Sequence, residues 1–289
     1  SDYFKASDFF WDAVANHRSV AFGGNSRREH FPSVSDYESY MEEREGPESC
    51  NTNNMLKLTE NLFRIKPDAA YADYYALYNH ILSTQLPHHG GYVYFTPASP
   101  SHYRVYSQPN SGMWCCVGTG MENHGKYGEF IYTHEGDNLY VNLFIASELN
   151  WKDKGFSLRQ DTAFPSEEGT TLTVTSKKRV TLTLLVRCPA WTEGMTISVN
   201  GEAWPLELGE DGYVAISRKW KNGDKVSGSL PMETSIERLD NVPDYIAIKR
   251  GPILLGVKTN QRDMDGLVSD DGRWAHIAHG PLQSAFDDA

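Results

Sequence analysis

Cys115 and Cys116 stand side by side in Trp114-Cys115-Cys116-Val117-Gly118-Thr119-Gly120, and the chain has two further cysteines, Cys50 and Cys188. Adjacent cysteines reach disulfide geometry only with strain. Cys50 lies in Gly46-Pro47-Glu48-Ser49-Cys50-Asn51-Thr52, with a carboxylate two residues before the thiol. Three thiols and one carboxylate suit a tetrahedral zinc site, and a bound divalent ion turns an inert sulfur into a usable thiolate. Structural zinc sites usually show close Cys-x-x-Cys pairs, and this chain has none. The fold must therefore assemble the set, and the residues alone leave open a zinc site or three buried, inert cysteines. A closed four-ligand site is normally structural, yet a thiolate ligand can also act as a nucleophile.

A second candidate is Glu29, in Gly23-Gly24-Asn25-Ser26-Arg27-Arg28-Glu29-His30-Phe31. The glycines suggest a tight loop, and Phe31 offers an apolar wall that could raise the carboxyl pKa, as a general acid requires. The competing reading is a solvated glutamate paired with Arg27 or Arg28. The ten histidines form no His-x-x-x-His pair on a helix. His124, in Glu122-Asn123-His124, could reach the cysteine pocket or serve only as a satisfied structural histidine. There is no glycine-rich phosphate loop and no Gly-x-Ser-x-Gly elbow.

These residues need elements to hold them. The amino-terminal part, residues 1–134, reads as helical: Phe4, Asp8, Trp11 and Val14 recur at helical spacing, as do Met55, Leu58, Leu62 and Ile65. Pro67 stops the second helix, and Asp68 can cap the next, which carries Tyr71, Tyr74, Tyr75, Tyr78 and Leu82 on one face. The Lys66-Pro67-Asp68 turn makes these two an antiparallel helical hairpin. Gly90–Phe95 reads as a short strand or extended loop, and a further helix is expected from about Gly120 to Tyr132. The first helix shows no recognisable cap before it, and the few helices look like part of a larger array.

After His134 the period changes to two. Leu139, Val141, Leu143 and Ile145 alternate with other residues, as do Leu172 and Val174, Leu182 and Leu184, and Met195, Ile197 and Val199 before an Asn200-Gly201 turn. Tyr245–Ile248 and Ile253–Leu255 supply later strands. Short strands with Gly-containing turns indicate an antiparallel β-sandwich, placed at 135–261. Thr259 to Asp270 reads as loop, and the tail from 262 to 289 is left unplaced.

The formal charge of −11 excludes a basic nucleic-acid surface. No apolar run reaches the length of a membrane span. The chain opens on Ser1-Asp2-Tyr3, inside an amphipathic segment rather than a signal peptide. Four cysteines make no disulfide framework, so the compartment stays open between periplasm and cytoplasm. Aromatic residues are 12% of the chain; such rings serve sugar clefts as stacking platforms, but core packing accounts for most of them.

Taken together, the Gly23–Phe31 segment, Gly46–Thr52 with Asn54-Met55-Leu56-Lys57-Leu58, and Trp114–His124 resemble the β-L-arabinofuranosidases of glycoside hydrolase families 127 and 146. Tyr78-Asn79-His80-Ile81-Leu82 and His102-Tyr103-Arg104-Val105-Tyr106-Ser107 add to the resemblance, which runs from about Phe9 to about Val257. It implies an α+β multidomain chain, with helices of a partial (α/α)6 barrel followed by a β-sandwich. It also implies a zinc held by Glu48, Cys50, Cys115 and Cys116, Cys115 as nucleophile, Glu29 as general acid/base, and Tyr94 in contact with substrate. The implied reaction is retaining hydrolysis of a terminal β-L-arabinofuranoside on an arabinose-containing glycan. Two positions depart from the family: Tyr74-Tyr75 runs straight into Ala76-Leu77 without an intervening Glu-Arg, and Asn53 replaces a tyrosine. The helices here are fewer than half of a full barrel, so a preceding barrel segment is the expected partner. The alternative is a non-catalytic carbohydrate-binding or structural fragment of such an enzyme.

Overall fold

A computed structural model of the chain describes every residue except 34, 79–87, 240–241, 270–271 and 285–289. Residues 79–82 of the Tyr78–Leu82 motif thus lie outside the described residues. Among the described residues five α-helices precede the main sheets: α1 (Asp2–Ala15), α2 (Tyr37–Glu42), α3 (Ser49–Ile65), α4 (Ala69–Tyr78) and α5 (Cys115–His124). The first helix has a cap where the sequence shows none, since the Ser1 hydroxyl accepts the Phe4 amide at 3.4 Å. The α3–α4 hairpin forms as its sequence indicates. Pro67 lies in the connection, and the Asp68 carboxylate accepts the Ala70 amide at 2.9 Å. Helix α5 differs from expectation: it begins at Cys115 rather than near Gly120 and ends at His124. Gly118 and Gly120 do not prevent it, because the Gly118 amide already bonds the Trp114 carbonyl at 2.9 Å.

The strands build three layers with the helices. One sheet has the order β10-β7-β3-β2, from β2 (Tyr132–Glu135), β3 (Asn138–Val141), β7 (Val180–Arg187) and β10 (Tyr213–Trp220). A second has the order β4-β5-β6-β11-β8-β9, from β4 (Ser147–Trp151), β5 (Phe156–Asp161), β6 (Gly169–Ser176), β8 (Thr196–Val199), β9 (Glu202–Trp204) and β11 (Lys225–Ser229). Alternation along the strands explains the stacking. Leu139, Val141, Leu182, Leu184, Val186, Val214 and Ile216 face the second sheet and pack with Leu158, Leu172, Val174 and Ile197. Tyr140, Leu185 and Tyr213 point the other way into the helical core, against Phe63, Tyr75 and Phe130. A period of two with both faces buried gives strands that read as nearly continuous apolar runs.

One pairing departs from the antiparallel expectation. β3 and β7 run parallel, with Leu139 opposite Leu184 and Val141 opposite Val186. The chain leaves the first sheet after β3, forms β4 to β6 in the second, and returns at β7, a crossover long enough for parallel alignment. Asn200 and Gly201 both have positive φ, 54° and 86°, as a two-residue I′ hairpin between β8 and β9 demands.

A third sheet of β12 (Thr234–Leu239), β13 (Val242–Arg250) and β14 (Ile253–Leu254) stands apart from these two. Val242, with Leu239 and Tyr245, packs on Val20, Tyr37 and Met41 of the helical part. Beyond it, β15 (Val268–Ser269) pairs in parallel with β1 (Tyr106–Ser107). The stretch read as loop therefore contains a strand that returns to the helical part. Among the described residues no helix is long and apolar enough to cross a membrane.

Candidate active site

The three cysteines of interest meet at the start of two helices. Glu48 is the N-cap of α3 and Cys50 lies in its first turn, while Cys115 and Cys116 open α5. Their Sγ atoms all lie within 4.8 Å of one another, and the Cys50 amide points at the Cys116 sulfur at 3.5 Å. Helix N-termini expose unpaired N–H groups and positive dipole ends, both of which favour a thiolate. Cys188 sits elsewhere, at the end of β7, so the structure separates it from this group.

Tyr94 joins the sulfurs to Glu29. Its hydroxyl lies 3.2 Å from Glu29 Oε1 and 3.3 Å from Cys115 Sγ, and its single proton serves one of the two at a time. The tyrosine belongs to an extended segment clamped on both sides. The Ser107 amide donates to the Tyr92 carbonyl at 2.8 Å, and the Thr96 amide to the Pro47 carbonyl at 2.8 Å. Gly91 is required there, since a Cβ would fall 1.8 Å from the Ser107 carbonyl oxygen. Phe95 bridges to Glu48, which brings the Tyr94 phenol beside the cysteine-bearing helix.

Glu29 is presented at the tip of a tight turn. Arg28 and Glu29 have φ of 46° and 65°, and Arg27 and His30 exchange backbone hydrogen bonds of 2.8 and 2.9 Å. This has the form of a two-residue I′ hairpin, for which glycine or asparagine is the ordinary occupant. Left-handed backbone at non-glycine residues costs on the order of 1 kcal/mol and persists where the surroundings hold it. The clamp is visible: the Glu29 amide donates to Glu48 Oε1 at 2.7 Å, the Arg28 amide to the Glu45 carbonyl at 3.0 Å, and Ser26 Oγ donates to Glu48 Oε2. Arg27 pairs with Asp36 and Glu43, and Arg28 with Glu43 and Glu45. Phe31 packs its ring edge-on against Phe10 at 5.8 Å.

The electrostatics follow from this packing. The Cys115 thiol is drawn down to about 5, chiefly by the hydrogen bond from Cys116 and further by those from Tyr94 and Cys50, against burial. Burial pushes Cys116 up, as it does Tyr94, whose bond to Cys115 acts in the same direction. Glu48 is raised by burial, with the Ser26 hydroxyl and the Glu29 amide opposing.

Of the residues expected at the site, the structure gathers Glu29, Tyr94, Cys50, Cys115 and Cys116. Glu48 adjoins them, but its carboxylate is engaged by Ser26 and Glu29, and it is not among the three side chains that cluster for a metal. His124 is at the opposite end of α5 from Cys115, about 13 Å along the axis at 1.5 Å per residue. Its ring contacts Tyr92 and Tyr127.

A layer that sequence reading missed lies behind Tyr94. Trp274 stacks on Phe95 with centroids 6.0 Å apart, and His276 sits edge-on to Trp114 and Tyr94 at 4.5 and 5.8 Å. These residues come from the stretch left unplaced, whose spacing shows no helical or strand period.

Residues 1–129 match the catalytic domain of GH127 β-L-arabinofuranosidases, and residues 138–232 match the middle domain of the same enzymes. Residues 235–287 match a domain of unknown function. The chain belongs to the GH127 β-L-arabinofuranosidase family of glycosidases. A search of curated proteins finds no match. Among solved structures, it resembles a GH127 β-L-arabinofuranosidase from Geobacillus stearothermophilus T6 at 22% identity and a TM-score of 0.74, covering 87% of this chain and 42% of that one. A GH127 β-arabinofuranosidase matches at 24% identity and TM-score 0.74, covering 87% and 43%. A third, a glycoside hydrolase, matches at 23% identity and TM-score 0.66, covering 84% and 46%. The chain spans less than half the length of these relatives.

Proposed function

We propose that this chain carries the thiol half of a retaining glycosidase that removes terminal β-L-arabinofuranose from arabinose-containing glycans. The observation that carries the reading is the phenol of Tyr94, shared between Cys115 and Glu29. Its two legs of 3.2 and 3.3 Å limit the distance from Glu29 Oε1 to Cys115 Sγ to 6.5 Å, their sum. Retaining glycosidases keep acid and nucleophile about 5–5.5 Å apart, and inverting ones about 6.5–9.5 Å. The spacing thus favours direct attack over an interposed water.

In this scheme Glu29 in its acid form gives its proton to the glycosidic oxygen as that bond breaks. The Cys115 sulfur attacks the anomeric carbon from the opposite face, forming a thioglycoside. Glu29, now a carboxylate, takes a proton from water, the water oxygen bonds the anomeric carbon, and Cys115 leaves as thiolate. Two inversions give net retention. Sulfur here takes the place of the second carboxylate.

Zinc is the metal this donor set fits best. Sulfurs bound at about 2.3 Å to a tetrahedral zinc lie about 3.8 Å from one another, and the three thiols already lie within 4.8 Å. Cys50, Cys115 and Cys116 would hold the ion, with Glu48 the adjacent carboxylate for the fourth position. When bound, it would stabilise the thiolate form of Cys115 as nucleophile and leaving group. The fold reading that accompanies this is a part of an (α/α)6 barrel backed by a β-sandwich. The helical hairpin and the core shared by two sheets support it.

The deciding experiment uses a haloacetamide-bearing arabinofuranose probe with peptide mass mapping and metal quantitation. Expected are one adduct at Cys115 and about one equivalent of zinc. An adduct at Cys188, or none at any cysteine, defeats the nucleophile assignment. A sugar-binding module without turnover is the second reading, favoured by the Glu48 carboxylate, which Ser26 and the Glu29 amide already engage. It requires arabinoside binding that survives both Cys115→Ala and Glu29→Gln, with no hydrolysis by the parent chain.

A further inference from the structure

The carboxy-terminal stretch is fastened to the helical part at several separate points. β15 pairs with β1. The Tyr103 hydroxyl accepts the Gly280 amide at 2.7 Å and donates to the Asp265 carbonyl at 2.7 Å. Arg44 Nη1 donates to the carbonyls of Ala278 at 2.6 Å and Gly280 at 3.3 Å, and the Gln283 amide to that of Ser101 at 2.8 Å. Between these anchors lie the only described residues of this stretch that meet the thiol site: Trp274 on Phe95, His276 against Trp114 and Tyr94, and Ile277 beside the Cys116 cluster.

We infer that residues 272–284 form the back wall of the thiol site, and that His276 is a positioning residue that fixes Trp114 and Tyr94. This assigns a role to part of the region that matches a domain of unknown function. Trp114 immediately precedes Cys115, and Tyr94 bonds its sulfur, so a ring wedged edge-on against both sets the thiol from two sides. His276 is 1% exposed. Neither of its nitrogens has a hydrogen-bond partner among the described residues, so what it supplies in this structure is ring surface. Burial holds its imidazole down to about 4, which keeps the ring neutral near pH 7 and suited to an apolar brace. The anchors explain how so exact a contact can come from a stretch with almost no regular structure: each ties backbone, not side chain, to the helical part.

The inference rests on the glycosidase reading only for its kinetic arm. Full-length His276→Ala, His276→Phe and Tyr103→Phe are compared with the parent chain. One readout is the rate of Cys115 alkylation by iodoacetamide, located by peptide mass. The other is kcat and KM on a chromogenic β-L-arabinofuranoside. A misplaced reacting group loses rate on the order of tenfold or more. His276→Ala should therefore lower kcat by about tenfold, with KM held within about twofold, and speed Cys115 alkylation severalfold. His276→Phe, which keeps a flat ring in the wedge, should restore most of both. Tyr103→Phe, which loosens an anchor without touching the wedge, should shift alkylation in the same direction as His276→Ala, more weakly.

Parent-like alkylation in His276→Ala overturns the inference. So does a His276→Phe chain as impaired as the alanine variant, because the nitrogens rather than the ring would then be at work. If His276→Ala loses its circular-dichroism signature, the His276→Phe and Tyr103→Phe alkylation rates decide, and a Tyr103→Phe chain that alkylates as the parent does counts against the wall. If the parent chain cleaves no arabinofuranoside, that failure belongs to the proposed function, and the alkylation rates still judge the wall.

Discussion

Asp73 and Arg187 join the helical part to the sheets through a buried ion pair, and breaking it should cost most of the margin by which this chain stays folded. Asp73 lies on α4 and Arg187 ends β7, with side chains 14% and 2% exposed. Asp73 Oδ1 accepts from Arg187 Nη1, and Oδ2 accepts the Ala190 amide at 3.0 Å. Arg187 Nε donates to the Asn142 carbonyl at 2.6 Å, and its guanidinium lies 5.2 Å from the Phe144 ring. Asp73→Ala removes the only carboxylate paired with Arg187 among the described residues and strands a guanidinium that water scarcely reaches. Removing one partner of such a pair costs about 3–5 kcal/mol. The Ala190 amide lies at the surface and can turn to water, so it adds little and the lower end, about 3 kcal/mol, applies. Against a total stability of about 5–15 kcal/mol that is a large fraction. The assay is urea denaturation followed by tryptophan fluorescence, with the double variant Asp73→Leu/Arg187→Met beside it. Replacing both charges by apolar groups of similar volume is close to neutral, so the double variant should recover to within about 1 kcal/mol of the parent. A single variant that loses less than about 1 kcal/mol, or a double variant no better than the single, refutes the reasoning.

Three further outcomes are expected. Tyr94→Phe removes one hydroxyl that touches both Cys115 and Glu29; hydrogen bonds to charged partners contribute about 1.5–3 kcal/mol, so kcat/KM should fall roughly 10- to 100-fold with Tm nearly unchanged, and a rate within about twofold of the parent contradicts the shared-phenol reading. Gly120→Ala places a Cβ 2.4 Å from the Tyr92 ring; alanine's better helix propensity, about 1 kcal/mol, is outweighed by overpacking of about 1–3 kcal/mol, so thermal melts should show net destabilisation. His276 ionises at about 4 in the folded chain, against an ordinary 6.5. Between those values the unfolded chain binds the extra proton, so stability is level above about pH 6.5 and falls as pH drops toward 4, by at most about 3 kcal/mol. His276→Phe should flatten that window in urea titrations, and an unaltered slope would assign the acid sensitivity to other groups.

What the sequence determined by itself was local. Hydrophobic spacing placed Trp11 and Val14 of α1 and Met55 and Leu62 of α3 in the core, because a 3.6-residue period points one face at it. Pro67 and Asp68 set the helical hairpin, and Asn200-Gly201 set a β-hairpin, because each needs only its own backbone chemistry. The motif set named the residues Glu29, Glu48, Cys50, Cys115 and Cys116, though not their distances. The sequence reading started α5 near Gly120, whereas the Trp114 carbonyl already anchors the helix and puts both thiols at its N-terminus. Only the tertiary structure decided that Ser26 and the Glu29 amide occupy Glu48, that one phenol lies between Glu29 and Cys115, and that β3 and β7 run parallel. It also decided that a stretch without periodicity closes the site with His276. Contacts between residues 276 and 94, or 73 and 187, join segments far apart along the chain, and they exist only once several elements have packed. No local propensity or spacing encodes them.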